Sequence, residues 1–306
     1  MSKTWTMHVL GCGTAAYWLV MMLVDLIRSS LPSGTGDLDR LRRITFTDVA
    51  RVRQHNRITC PGYRRSLWGQ LKCIALAGLI RARLPASVIL ESYPIAVEEL
   101  DWARLLPAQD LRRGEDTVIA ILLDNWDSRL VALQDVRQRV AEVCPEAAEH
   151  VLMVTVGLDK GAAQVCTFTA DRRDHCPLCW LPSLPMPEPC AVFDAQKRLL
   201  RGNLHRESQA AAKLVLQMIG DHRRRSERPS PWPNTNSHVL LPSAEAPGGS
   251  VETRPGRRMP GCAGPHSASV PVRWDHVLPS LDAFRRGHDG RLSLRESSVL
   301  SGSKGR

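Results

Sequence analysis

Residues Val118 to Leu123, VIAILL, are apolar at every position. The run is far shorter than the roughly 20 residues of a membrane-spanning helix. Thr117 to Leu123 is therefore read as a β-strand with both faces covered, the pattern of a parallel sheet packed between helices. The residues around it fit that arrangement. Met7 to Leu10 lead through Gly11-Cys-Gly13 into an apolar helix ending near Ser30, and a second strand runs from Arg43 to Val49. Polar Arg51 to Arg65 read as a loop, and Gly69 to Arg83 as a helix, because Leu71, Ile74, Ala75, Leu79 and Ile80 recur at helical spacing. Strands at Ser87 to Leu90 and Val151 to Val156, with a helix from Trp126 to Val143, complete the alternation. Alternating strands and helices predict an α/β sheet with right-handed crossovers.

Two composition counts narrow the class. The longest apolar run, Ala15 to Val24, is about half a membrane span, and Gly11 and Gly13 interrupt any secretory signal, so a soluble cytoplasmic protein is expected. Nine cysteines are an odd number and too sparse for a disulfide scaffold, which fits a reducing compartment. Formal charge is +10. Residues 221–306 hold 14 Lys or Arg against 8 Asp or Glu, so +6 of it lies there. That stretch is rich in Pro, Ser and Gly and reads as a basic, disordered tail that buries too little apolar surface to offset ordering entropy. Before it, Cys176 to Cys190 is a proline-broken loop, and Ser208 to Gly220 an Ala-rich amphipathic helix.

Several residues have chemistry available at their positions. Glycines at 11 and 13, between strand and helix, let a backbone approach phosphate where a helix N-terminus offers free amides. Such a turn also occurs for tight packing alone. Asp48 stands at the end of the second strand, where a ribose-binding acid belongs, or where a loop acid caps a helix. Lys72 reads alternatively as an exposed helix cation, and Asp124 with Arg129 as an ion pair across one turn. Cys176 and Cys179 are spaced to share a tetrahedral zinc.

Taken in order, Asp48-Val-Ala-Arg-Val-Arg-Gln-His-Asn56, Gly69-Gln-Leu-Lys72 and Asp124-Asn125-Trp-Asp-Ser-Arg129 resemble the landmarks of the ThiF/MoeB/HesA family of ubiquitin-like-protein activating enzymes. Val156 to Gly161, running on to Gln164-Val165, resembles the family's turn before its final strand. Cys176-Pro-Leu-Cys179 resembles its first zinc pair, and Arg258-Met-Pro-Gly-Cys262 the approach to its second. The likeness spans roughly Val9 to His266. It implies a Rossmann-like, mostly parallel sheet with flanking helices and a zinc-bound C-terminal β region. The corresponding domains are an adenylation domain over 1–220, an extension over 221–266 completing the zinc site, and the tail over 267–306.

The family reaction joins the C-terminal carboxylate of a small ubiquitin-like or sulfur-carrier protein to the α-phosphate of ATP. By resemblance, Gly11 and Gly13 would border the phosphates, Asp48 would hold ribose, Lys72 the triphosphate and Asp124 a Mg2+ ion, with Asn56 and Asn125 beside them. The family arginine usually follows Asn by three residues. Here Arg57 follows at once, with Arg64 and Arg65 later, and Arg57 is taken as the catalytic one. Cys262 is followed by a histidine rather than a second cysteine, giving Cys176, Cys179, Cys262 and His266 as the Zn2+ ligands. Cys190 falls at the family's downstream cysteine, a nucleophile in some members and dispensable in others. The apolar helix Tyr17 to Ile27 suggests a homodimer. A second reading is a degenerate member that binds nucleotide or partner without chemistry. An NAD-dependent oxidoreductase leaves Lys72 and the cysteine pair unexplained, and the sequence lacks a nucleic-acid recognition pattern.

Overall fold

The computed structural model describes residues 4–30, 40–159, 162–171, 197–224, 237–241 and 252–255. Five parallel strands form its centre: β1 (Trp5–Leu10), β2 (Leu41–Thr47), β3 (Ile89–Tyr93), β4 (Asp116–Ile121) and β5 (Val151–Asp159). Three strands extend the sheet in antiparallel fashion: β6 (Ala162–Thr169), β7 (Ser237–Leu241) and β8 (Glu252–Pro255). The spatial order is β3-β2-β1-β4-β5-β6-β7-β8. Sequence order therefore reverses direction between β1 and β4, the switch point where open α/β sheets form a crevice beyond the carboxyl ends of their strands.

Helices cover both faces, as the unbroken apolar strand requires. Trp5, Met7 and Val9 of β1, Val118 and Ala120 of β4, and Leu152 and Val154 of β5 join one core with α1 (Thr14–Ser30). The remaining helices are α2 (Asn56–Thr59), α3 (Lys72–Arg81), α4 (Trp102–Leu105), α5 (Ala108–Arg112), α6 (Trp126–Val143) and α7 (Lys197–Arg224). Of these, α3 and α7 complete the first core. Ile119, Ile121, Val151, Met153 and Phe168 face the other way, into a second core closed by α4, α5 and α6. This second face also buries polar groups. His8 is fully buried with Nδ1 2.8 Å from Thr45 Oγ1, and burial lowers its pKa to about 3, so it is neutral. Arg137 of α6 is likewise buried and donates to the Thr169 carbonyl at 3.2 Å.

Tertiary pairing shifts several sequence-based boundaries. The third strand covers Ile89–Tyr93 rather than Ser87 to Leu90, because its partners are Arg43 through Thr47 of β2. It is an edge strand, so Glu91, Ser92 and Tyr93 pair without full burial. The Arg51 to Arg65 loop contains α2 and touches a 3-10 turn at Arg65–Leu67. The C-terminal helix starts at Lys197 instead of Ser208. The helix proposed for dimerisation has an inward destination: Tyr17, Leu19, Val20, Leu23, Val24 and Ile27 of α1 are buried in the chain's own core, against the sheet and α7. That apolar face is closed within the subunit and gives no support to a homodimer.

Candidate functional site

The turn after β1 is packed on one side and open on the other. Gly11 has φ +86°, and its N–H donates to Thr47 O at 2.8 Å. A Cβ there would lie 2.7 Å from Leu122 O, so close approach of the chain leaving β4 requires glycine. At Gly13 a Cβ would meet nothing within 4 Å. Its carbonyl accepts the first helical bond of α1 from Tyr17 N at 2.9 Å. The first turn of α1 contains no acidic residue to neutralise the positive end of its dipole.

Neighbouring segments are tied to this turn. Cys12 N–H donates to Asp48 Oδ2 at 2.7 Å, and its carbonyl accepts from buried Tyr63 Oη at 3.1 Å. Asp48 Oδ1 accepts from Ala50 N at 2.6 Å, while the Ala50 carbonyl accepts from Lys72 N at 2.8 Å. Asp48, the glycine turn and the start of α3 thus share one hydrogen-bonded network. The Cys12 thiol is fully buried, and burial, with Asp48 adding, pushes its pKa well up against the opposing charge of Lys72. It is an inert thiol.

Residues 52–70 form a closed excursion, with Gly69 N donating to Val52 O at 2.9 Å and Val52 N to Gln70 O at 2.8 Å. Its middle is fastened to α1: Thr14 Oγ1 donates to Thr59 Oγ1 at 2.8 Å, Trp18 Nε1 to Thr59 O at 2.9 Å, and Gly62 N to Tyr17 Oη at 2.9 Å. Asn56 accepts from Arg53 N at 2.8 Å through its side chain, and Arg57 beside it is exposed.

Across the switch point, Asp124 is exposed three residues beyond β4. Asn125 caps α6, its Oδ1 accepting from Ser128 N at 2.7 Å. Arg129 is directed inward. It donates to Leu123 O at 2.7 Å and Val156 O at 3.1 Å, tying the ends of β4 and β5 together. Burial lowers its pKa to about 10, an effect that the Asp124 charge opposes. Where the Asp124 and Arg129 spacing also read as an ion pair across one turn, Arg129 forms a buried strap between two strand ends, and the charge of Asp124 still acts on it.

The fold brings Gly11, Gly13, Asp48, Asn56, Arg57, Lys72, Asp124 and Asn125 to the loops and helix starts that follow the carboxyl ends of the parallel strands. Cys176, Cys179, Cys190, Cys262 and His266 lie outside the described residues. Among the described residues no cluster of three or more His, Cys, Asp or Glu is placed to hold a metal. No helix among them is long and apolar enough to cross a membrane. Thr14, Thr59 and Tyr63, which fasten the arginine-bearing excursion, carry no signal recognisable in one sequence.

No protein-family model and no curated protein matches the chain. Its fold is similar to that of E. coli MccB solved with ATP, at 12% identity and TM-score 0.53, over 86% of this chain and 66% of that one. The microcin C7 biosynthetic enzyme MccB in complex with N-formylated MccA gives 13% identity and TM-score 0.51, over 86% of this chain and 67% of that one. PaaA gives 13% identity and TM-score 0.51, over 82% and 64%. The chain thus spans about two thirds of the length of these structures, and the likeness is one of fold.

Proposed function

We propose that the chain is an ATP-dependent adenylyltransferase that activates the C-terminal carboxylate of a small ubiquitin-like or sulfur-carrier protein, or of a peptide. The observation carrying this reading is convergence at the switch point. A glycine turn open at Gly13, an acid after β2, a cation opening α3 and an acid after β4 meet on one rim. Further support comes from the shared fold of E. coli MccB, which has been solved with ATP and with AMPCPP and MccA together.

In this reading a carboxylate oxygen of the partner attacks the α-phosphorus of ATP, and the bond from that phosphorus to the bridging oxygen breaks. Pyrophosphate leaves with the bonding pair and an acyl-adenylate remains. No proton need move, so the protein acts by positioning and charge neutralisation. The open side of Gly13 gives phosphate oxygens access to the N-terminal amides of α1. Lys72 is a half-buried cation whose backbone is tied to that turn through the Ala50 link, and it would hold the departing phosphates with Arg57. Asp48 keeps lone pairs beyond those used by Cys12 and Ala50, available to ribose hydroxyls. The exposed carboxylate of Asp124 suits a hard divalent cation, and Mg2+ there would neutralise charge on the leaving group. The zinc ligands Cys176, Cys179, Cys262 and His266, and a covalent role for Cys190, are retained as proposals from the sequence.

ATP–pyrophosphate exchange dependent on a carboxylate-terminated partner tests the reaction. Lys72→Ala should lower exchange by about 10²–10³-fold, roughly 2.7–4 kcal/mol, as for other positioned transition-state charges. Asp124→Ala, which removes the proposed magnesium ligand, should abolish exchange. Wild-type exchange rates in both variants would exclude this site. The second reading, binding without chemistry, draws on the reduced glycine turn, on the arginine displaced to follow Asn56 at once, and on the second cysteine pair reduced to Cys262 alone. ATP binding by calorimetry without exchange for any carboxylate-terminated partner would select it.

A further inference from the structure

Residues 49–90 contain eight Lys or Arg and no Asp or Glu. Two of the eight are engaged beyond the excursion: Arg83 pairs with Asp25, and Arg81 donates to Val88 O at 3.0 Å. Arg51 donates to Gly69 O at 2.7 Å. The side chains of Arg53, Arg57, Arg64, Arg65 and Lys72 have no hydrogen-bond or ion-pair partner among the described residues. Elsewhere in the subunit some exposed or half-exposed arginines find acids, as Arg42 finds Asp110 and Glu115 and Arg224 finds Asp221, whereas others, such as Arg112, have no acid partner among the described residues. Four unneutralised arginines on one short excursion, with Lys72 just beyond it, therefore leave a strong local positive field.

This field exceeds what the proposed reaction consumes. A magnesium-bound triphosphate carries about two net negative charges, which Lys72 and one arginine balance. Arg64 and Arg65 lie at the far end of the excursion, past the Gly62 and Tyr63 anchors, and both are exposed. Two exposed aliphatic side chains belong to the same stretch of chain: Val49 is 56% and Ile58 47% exposed. No exposed aromatic accompanies them, since Tyr63 is fully buried and Trp68 is only partly exposed. Single-stranded nucleic acid generally needs such stacking platforms, whereas an acidic protein segment needs cations and a few apolar contacts. The excursion is also held by its bonds to α1, so little ordering entropy opposes docking.

We infer that the surface formed by Arg53, Arg64, Arg65, Val49 and Ile58 docks an acidic segment of the protein partner, next to the carboxylate being activated. The inference rests on the adenylylation reading for the partner's orientation, and on charge complementarity for its chemistry. Long-range attraction to such a surface speeds encounter and sets register, and it weakens as salt screens it.

The test uses the full-length chain and fluorescence anisotropy. The probe is an N-terminally labelled peptide of acidic residues followed by Ser-Gly-Gly with a free carboxylate. Its controls are the same peptide with Asn and Gln for Asp and Glu, and a labelled single-stranded oligonucleotide. The acidic peptide is expected to bind at low salt at least tenfold more tightly than the neutral one, and to weaken steeply as NaCl is raised. Arg64→Ser/Arg65→Ser should lose at least tenfold of that affinity, while Arg112→Ser, an exposed cation at the opposite end of the sheet, should lose none. Equal affinity for the acidic and neutral peptides, or for wild type and the double variant, would overturn the inference. So would an oligonucleotide that binds more tightly than the acidic peptide and displaces it. Calorimetry of wild type with ATP separates the two claims: a flat trace with intact peptide binding removes adenylylation and leaves the docking surface standing.

Discussion

At the amino ends of the parallel strands, charges are closed on one another. Arg42 and Arg43 at the start of β2 converge on Asp110, Glu115 adds to Arg42, and His150 and Arg223 approach Asp116 at the start of β4. The Arg223 guanidinium also lies over the Trp5 ring, 5.2 Å from its centre. At the carboxyl ends, Lys72 and four arginines have no such partners among the described residues, Asp124 is exposed, and Gly13 faces open space. Both ends belong to the same strands and differ by less than the length of one. A buried charge without a partner is costly, so the amino edge must supply its own counterions to be stable. The carboxyl edge keeps its cations in solvent, where they cost little until an external anion arrives. One edge therefore closes its charges for stability, and the other leaves its cations facing solvent.

Substitutions at each edge should separate these roles. Gly11→Ala is expected to have the largest effect, because it touches the point where both edges' strands meet the turn. A left-handed residue with a side chain costs about 1–2 kcal/mol, and overpacking against Leu122 O about 1–3 more, so unfolding in urea should show a loss of about 2–5 kcal/mol. An unchanged midpoint would mean that the turn is not packed against the exit of β4. Asp110→Ala comes next. It leaves Arg43 nearly buried and facing Arg42 without their shared acid, although Glu115 remains 3.0 Å from Arg42. A loss of about 1–3 kcal/mol is expected, discounted for the half-exposed Arg42, with exchange activity per folded molecule unchanged. Loss of exchange without loss of stability would blur the contrast between the edges.

Legibility in the sequence followed how local each cause was. The strand around VIAILL and the helix over Trp126–Val143 were readable because double-sided burial and helical spacing are written in consecutive residues. The third strand was placed too early because its position is set by pairing with β2 and its edge location tolerates Glu91 and Ser92. In the site, order and spacing pointed to Asp48, Lys72 and Asp124, and the fold carries all three to the same edge. The partners of Asp48 were not readable, since Cys12 N lies 36 residues away and only the crossing of two loops brings them together. Arg129 looked like half of a surface pair because spacing of i and i+5 on a helix start says nothing about what lies beneath; the carbonyls of two strand ends lie there. Residues 221–306 hold most of the net charge, yet the acid-free stretch 49–90 carries a denser positive charge beside the site.

The smallest effect on stability, and the sharpest on ligand, is expected from Gly13→Ala. Two opposing terms act on folding. Replacing glycine where the backbone is not left-handed removes freedom from the unfolded chain and stabilises by about 0.4–1 kcal/mol. Gly13 is also the residue before α1, where alanine is a poorer cap than glycine, by an amount of similar size. Since a Cβ would meet no atom within 4 Å, no packing term enters, and the urea midpoint should move by less than about 0.5 kcal/mol. The methyl group would nevertheless stand on the open side of the turn, from which, in the proposed reading, phosphate oxygens would reach its amides. ATP affinity by calorimetry should fall at least tenfold, about 1.4 kcal/mol. Gly11→Ala and Gly13→Ala would then divide the two glycines of a single turn between the edges' two roles: the first unfolds the protein without a specific effect on nucleotide, and the second removes nucleotide from a protein as stable as wild type. Unaltered ATP affinity in Gly13→Ala would place the phosphates elsewhere and leave the open side of this turn without a ligand.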